Sequence, residues 1–317
     1  MPHSAFPLPA PAPTLRQRVE AWMRLFQDWL CQQLEATDGA GRFQEDPWEH
    51  HSGGGGRSRL LTEGRIIEKG GVNFSAVQGE MSAKAAQQLL MPDPRYFATG
   101  VSVVQHPRSP LVPISHMNVR YFEAGNGDAW FGGGLDLTPI YVDEAQARWF
   151  HEQIAEVCRQ HHPDYYARFK RWADEYFYLP HRQETRGVGG IFFDRQVVGQ
   201  DGEAEALFAF VRAVGEVYGR TYCALLAQNA DLPYTERQKQ WQLVRRGRYA
   251  EFNLAIDRGT RFGLETGGRT ESILMSLPPL AAWHYNFTPE PGSAEAATQQ
   301  WLRPGIDWLA HPTSAAC

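Results

Sequence analysis

The sequence predicts an α+β fold: a single domain built on a mainly antiparallel β-sheet, with helices packed against it. Three observations carry this. Residues 100–141, GVSVVQHPRSPLVPISHMNVRYFEAGNGDAWFGGGLDLTPIY, alternate with a period of two. They are broken by turn formers at Pro107, Pro110 and Pro113, and again at Gly125-Asn126-Gly127-Asp128, the pattern of a three-strand meander. Flanking stretches repeat apolar residues every three to four positions, the helical period. No internal repeat or low-complexity linker interrupts residues 14–310, so the 317 residues carry no clean domain boundary.

Taken in order, residues 1–13 form a Pro/Ala-rich tail expected to be flexible, and 14–317 form the domain. Thr14 caps a helix whose apolar positions are Leu15, Val19, Trp22, Met23, Phe26, Trp29 and Leu30. Gly39 to Gly56, with His50, His51 and four consecutive glycines, reads as a loop that could close over a site. Ser58–Glu68 and Gly71–Gly79 read as a hairpin turning at Gly70-Gly71. Residues 82–91 predict a short helix, ended by Pro92 and Pro94. After the meander, 143–161 predict a helix with Ala147, Phe150, Ile154, Val157 and Cys158 on its stripe. A second helix, rich in aromatics, runs from Pro163 to Pro180. His181, Arg182 and Arg186 then fall in a loop before a strand, GVGGIFFD. Helices follow at 203–229 and, capped by Thr235, at 235–245. RGRYAEFNLAIDRGTRFGLETGGRTES reads as strand, DRG turn, strand and GG turn. A buried run follows, then Trp283, Tyr285 and Phe287 in alternation, then a last helix at 294–301, capped by Ser293.

Side chains two apart on a strand share a face. One face of the meander therefore carries Ser102, Val104 and His106, then His116, Asn118, Arg120 and Phe122, then Trp130, Gly132, Gly134, Asp136 and Thr138. If the strands are in register, two imidazoles, an amide, a guanidinium and a carboxylate collect there. Gly132 and Gly134 leave a floor without side chains, and glycine inside a strand often marks close approach by a ligand. A large, flat, charged small molecule suits such a face. A plain solvated sheet face is the alternative reading.

The net charge of −5 provides no global basic field for nucleic acid. No apolar run is long enough to span a membrane. Cys31, Cys158, Cys223 and Cys317 are scattered without a CxxC, which fits a reducing compartment. The N-terminus MPHSAFPLPAPAPTL lacks the pattern of a secretory signal, so a cytoplasmic protein is expected. The P-loop, Rossmann, HExxH and GxSxG motifs are missing.

The stretches EKGGVNFSAVQGEM, SHMNVRYFE, WFGGGLDLTP, KRWADEYFYLPHR, RGVGGIFFD, RRGRYAEFNL and DRGTRFGLETGGRTESILMSLPP occur in this order between about residues 15 and 310. The chain resembles the oxygen-dependent coproporphyrinogen III oxidases. The resemblance implies a homodimer with a large, flat antiparallel sheet sandwiched between helices. It also implies oxidation by molecular oxygen, without an organic cofactor, of two propionates of coproporphyrinogen III to vinyl groups. On the matching positions it implies that His116 is a general acid or base and that Asp136 lies at the centre of the macrocycle. Arg120 and Arg186 would serve the reacting end. Ser102, Asn118, Val119, Arg120 and the turn Gly267-Gly268-Arg269 would contact substrate. His106, His116, His151 and His181 match a divalent-metal set, with manganese the first expectation, and residues 249–284 match a dimerisation region. His151 and His181 also fit as structural histidines. A tetrapyrrole carrier without chemistry, and a histidine-metal oxygenase on another substrate, are the alternatives.

Overall fold

The computed structural model describes residues 13–88, 91–199, 203–265 and 268–310. Most of the tail expected to be flexible, residues 1–12, lies outside them, as do Gly267 and Cys317.

The elements follow the chain as α1 (Leu15–Asp38), β1 (Gln44–Glu49), β2 (Gly54–Thr62), β3 (Ile67–Glu80), α2 (Ala83–Gln88), β4 (Arg95–Pro107), β5 (Ile114–Ala124) and β6 (Ala129–Thr138). They continue as α3 (Glu144–His161), α4 (Tyr165–Tyr176), β7 (Tyr178–Leu179), β8 (Glu184–Thr185), β9 (Gly189–Val197), α5 (Glu203–Asn229), α6 (Glu236–Glu251), a π-helical turn (Phe252–Ile256), α7 (Arg258–Glu265), α8 (Thr270–Leu274) and α9 (Ala294–Trp301). Seven strands form one sheet in the order β1-β2-β3-β4-β5-β6-β9, and every neighbouring pair is antiparallel.

Thr14 starts α1 with a capping box shared with Gln17, and Gly39 closes it in the left-handed conformation. The stripe Val19, Met23, Phe26, Leu30 and Leu34 is fully or almost fully buried. It packs with α5 on one face of the sheet, against Val101, Val103, Met117, Val119, Phe131 and Leu135. Burying each such side chain contributes about 1.5–3 kcal/mol. That apolar face leaves the even-numbered, polar positions of the meander to the opposite side.

Three expectations are corrected. Gly39 to Gly56 is not a loop throughout, because β1 and the start of β2 fall within it. Gly54, Gly55 and Gly56 pair with Val77, Ala76 and Ser75, and a Cβ at Gly55 would stand 2.2 Å from the Trp48 carbonyl oxygen. The hairpin turns at residues 63–66 rather than at Gly70-Gly71, with Glu63 taking a φ of 56°. Gly70 and Gly71 lie inside β3, where a Cβ would meet the Gln105 side chain at 1.9 Å and Met275 Sδ at 2.1 Å. Residues 246–265 are helical rather than a pair of strands. Asp257, expected in a turn, instead starts α7 by accepting from the Thr260 N–H at 2.7 Å and the Thr260 hydroxyl at 2.8 Å.

Candidate active site

Strand register builds the site. Ser102 on β4 stands opposite Asn118 on β5, and Asn118 opposite Gly134 on β6. The next row outward joins Gly100, Arg120 and Gly132, and the next row inward joins Val104, His116 and Asp136. The face inferred from alternation is therefore assembled in the structure. Above it lie the end of α6, the π-helical turn, α7 and α8. Between floor and roof is a cleft of about 430 Å³, the size of a small-molecule site. Its walls include Asn73, Ser102, His116, Asn118, Arg120, Gly134, Arg186, Tyr249, Asn253, Asp257, Gly268 and Arg269.

The deep end is a buried charge cluster. Arg186 donates to Asp136 through Nη2 at 2.7 Å and Nε at 3.1 Å, and to Asn253 Oδ1 at 3.2 Å. His116 Nδ1 lies 2.9 Å from Asp136 Oδ1. The rings of Phe177, Tyr249 and Phe252 surround the guanidinium at 4.5–4.6 Å. Burial works to raise the pKa of Asp136, but the Arg186 charge and the His116 and Arg186 hydrogen bonds outweigh it and hold the carboxyl below its ordinary value. Asp136 is 1% exposed, and the cleft wall at this point is formed by His116 and Arg186. The carboxylate thus sits one layer below the surface a ligand meets. Arg186, expected to serve the reacting end, is already committed to Asp136.

The rim is different. Arg120 is paired with Asp194 at 3.0 Å. Arg269 pairs with Asp46 and lies 3.3 Å from the Ser58 hydroxyl. Gly268 lines the cleft beside it. Val119, although between Asn118 and Arg120, turns to the opposite face and is fully buried in the core, because successive strand side chains alternate. Gly267 lies outside the described residues.

The four histidines expected as metal ligands do not converge. His151 is saturated: Nε2–H donates to the Val188 carbonyl at 3.0 Å and Nδ1 faces the Tyr166 hydroxyl at 2.9 Å. His106 Nε2–H donates to the Ser276 carbonyl at 2.9 Å, and its Nδ1 is buried without a partner. His181 pairs with Glu251 at 2.9 Å, and His116 with Asp136. Burial pushes His106 and His151 down to about 3. Among the described residues, no three His, Cys, Asp or Glu side chains group as a metal site. These residues do not fit a resident ion held by four imidazoles.

A family model described as Coproporphyrinogen III oxidase matches residues 18–308. A relative from Synechococcus sp. (strain CC9605), named oxygen-dependent coproporphyrinogen-III oxidase, is 48% identical over 96% of this chain and 90% of its own length. The chain belongs to the coproporphyrinogen III oxidase family. Within this family member, sequence reasoning missed Tyr249, Asn253 and Asp257 as cleft residues, since they were read as strand and turn. Their spacing of four, which places them on one helical face, was the available signal. Asp194 carried no signal: its partner is brought to it only by the sheet.

Proposed function

We propose that this protein catalyses the oxygen-dependent oxidative decarboxylation of coproporphyrinogen III, converting two propionates to vinyl groups and giving protoporphyrinogen IX. The observation that carries the proposal is the buried Asp136, held by His116 and Arg186, at the deep end of a cleft whose rim presents Arg120 and Arg269. For each vinyl group, one propionate, one oxygen molecule and one proton become one vinyl, one carbon dioxide and one hydrogen peroxide. The propionate carbon next to the ring loses its hydrogen, the bond to the carboxylate breaks, and oxygen takes up two electrons. Oxygen is the co-substrate, and the reading requires no organic cofactor.

In this reading Arg120 and Arg269 receive propionates, for which the planar guanidinium is the matched partner. Ser102, Asn118 and Gly268 line the floor and wall beside them. The Asp136 carboxylate accepts His116 Nδ1–H, which fixes the tautomer and leaves Nε2 as the proton-handling atom of the ring. Arg186 keeps Asp136 ionised and in place. The protein contributes position and charge.

The test is turnover of coproporphyrinogen III in air and under nitrogen, by chelator-treated protein of assayed metal content. Full-rate vinyl product that requires oxygen is expected. Recovery only on adding one metal would make the oxidase metal-dependent. Binding without product would leave a carrier.

The proposal includes a homodimer whose interface includes residues 249–284. Leu280, in the run expected to be buried, is 62% exposed, and beyond it Trp283 is 57% and Tyr285 fully exposed. Clustered apolar exposure of this kind marks an association surface. Sedimentation should give twice the chain mass, and Trp283→Asp should shift it to the monomer; a monomeric wild type would end this part of the reading. The setting proposed is the cytoplasm. The three described cysteines are free, and burial pushes Cys31 and Cys158 up to about 12. No helix among the described residues is long and apolar enough to cross a membrane.

A further inference from the structure

The two arginines on the meander side of the cleft behave differently. Arg186 is buried and fixed on Asp136. Arg120 lies at the open end, and its side chain is 39% exposed, paired at 3.0 Å with Asp194, whose side chain is 32% exposed. The pair bridges β5 and β9 over Gly132 of β6, at the point where the β6–β9 register shifts between Phe131 and Gly133. A Cβ on residue 132 would stand 2.7 Å from both Arg120 Nε and Asp194 Oδ1. The missing side chain is what lets the pair lie flat on the floor. Arg120 lines the cleft and Asp194 does not. The Arg195 N–H donates to Asp194 Oδ1 at 2.9 Å, which holds the carboxylate at the edge.

We propose that Asp194 is an internal stand-in for a substrate carboxylate: it occupies Arg120 when the cleft is empty, yields it to a propionate on binding, and reclaims it when that propionate is lost. This rests on the reading of the cleft as a coproporphyrinogen III site. An exposed Arg–carboxylate pair is weak, so a substrate carboxylate of equal chemistry can exchange with it. The substrate arrives as a tetracarboxylate and leaves as a dicarboxylate. Once carbon dioxide departs, Arg120 has lost its ligand anion, and Asp194 is the anion next in reach. The exchange therefore weakens binding of the substrate modestly and favours departure of the vinyl-bearing product. Asp46 on Arg269 repeats the arrangement at the roof side of the rim.

The sign of the effect is the test, because removing a residue that merely oriented Arg120 would weaken binding. Asp194→Asn should bind coproporphyrin III, the air-stable oxidised tetracarboxylate, about two- to five-fold more tightly than wild type. The KM for coproporphyrinogen III should fall by the same factor, with an unchanged melting curve. On an Arg120→Ala background, Asp194→Asn should change neither constant, as expected of two groups that act through one contact. Equal or weaker binding in Asp194→Asn would overturn the proposal. So would the same tightening without Arg120, since that is a general charge effect. A wild-type protein that neither binds coproporphyrin III nor forms vinyl product would instead fail the reading of the cleft, and the proposal with it.

Discussion

Asp136→Asn should lower turnover by on the order of 10³–10⁴-fold and lower Tm by roughly 5–15 °C. Asp136 receives three N–H donors: Arg186 Nη2 and His116 Nδ1 on Oδ1, and Arg186 Nε on Oδ2. An asparagine has one oxygen and one NH₂ group. Either way round, the NH₂ group faces a donor. If it replaces Oδ1 it opposes both Arg186 and His116; if it replaces Oδ2 it opposes Arg186 Nε. The side chain also loses its charge, leaving a guanidinium 3% exposed without a counterion. Breaking a buried pair in this way costs about 3–5 kcal/mol. Steady-state vinyl formation and a thermal melt on the same preparation check both halves. Turnover within tenfold of wild type would remove Asp136 from the centre of the mechanism.

The pH dependence of that stability loss has a definite sign. The folded pKa of Asp136 lies below its unfolded value. Its contribution is therefore fully present above the unfolded carboxyl pKa, about 4, and is lost as pH falls through the folded value. The melting temperatures of wild type and Asp136→Asn should be furthest apart near neutral pH and should converge in acid.

The floor of the site was legible because its information is local. Turn residues at 107–113 and 125–128 delimit the meander, and period-two alternation then assigns each side chain to a face. The register that sets Ser102 against Asn118 and His116 against Asp136 follows from short antiparallel connections. The roof was misread for an equally local reason. Phe252, Leu254 and Ile256 alternate as a strand would, yet the segment is a π-helical turn in which Phe252 is 1% and Leu254 51% exposed. Tertiary packing overrides a pattern that short. What sequence spacing does not encode is which charges meet. Arg186 and Asp136 are 50 residues apart, and Arg120 and Asp194 are 74 apart. Composition alone gives each arginine the same prospects as a propionate ligand. Burial separates them, one locked on a carboxylate below the floor and the other open at the rim. The four histidines were grouped only by resemblance, and each has a separate local partner in the fold.

His116→Gln should lower kcat by about 10²–10⁴-fold while leaving stability close to wild type. The imidazole is the one member of the deep cluster with appreciable exposure, its side chain being 20% accessible, so shortening the network there leaves Arg186 and Asp136 paired. Glutamine keeps a polar side chain that can donate to Asp136 Oδ1, but it cannot take up and return a proton at working pH. Each vinyl group formed consumes one proton in making hydrogen peroxide, and in the proposed reading His116, which lines the cleft, delivers it. Binding should survive, because the rim arginines are untouched: the dissociation constant for coproporphyrin III should stay within about two- to three-fold of wild type. This separates His116 from Asp136, whose loss damages both folding and rate, and from Arg120, whose loss should act on binding. Single-turnover vinyl formation at saturating substrate is the measurement. A His116→Gln protein that keeps a tenth or more of the wild-type rate would mean that the proton reaches oxygen from water or from another group, and that the Asp136–His116 pair only shapes the wall.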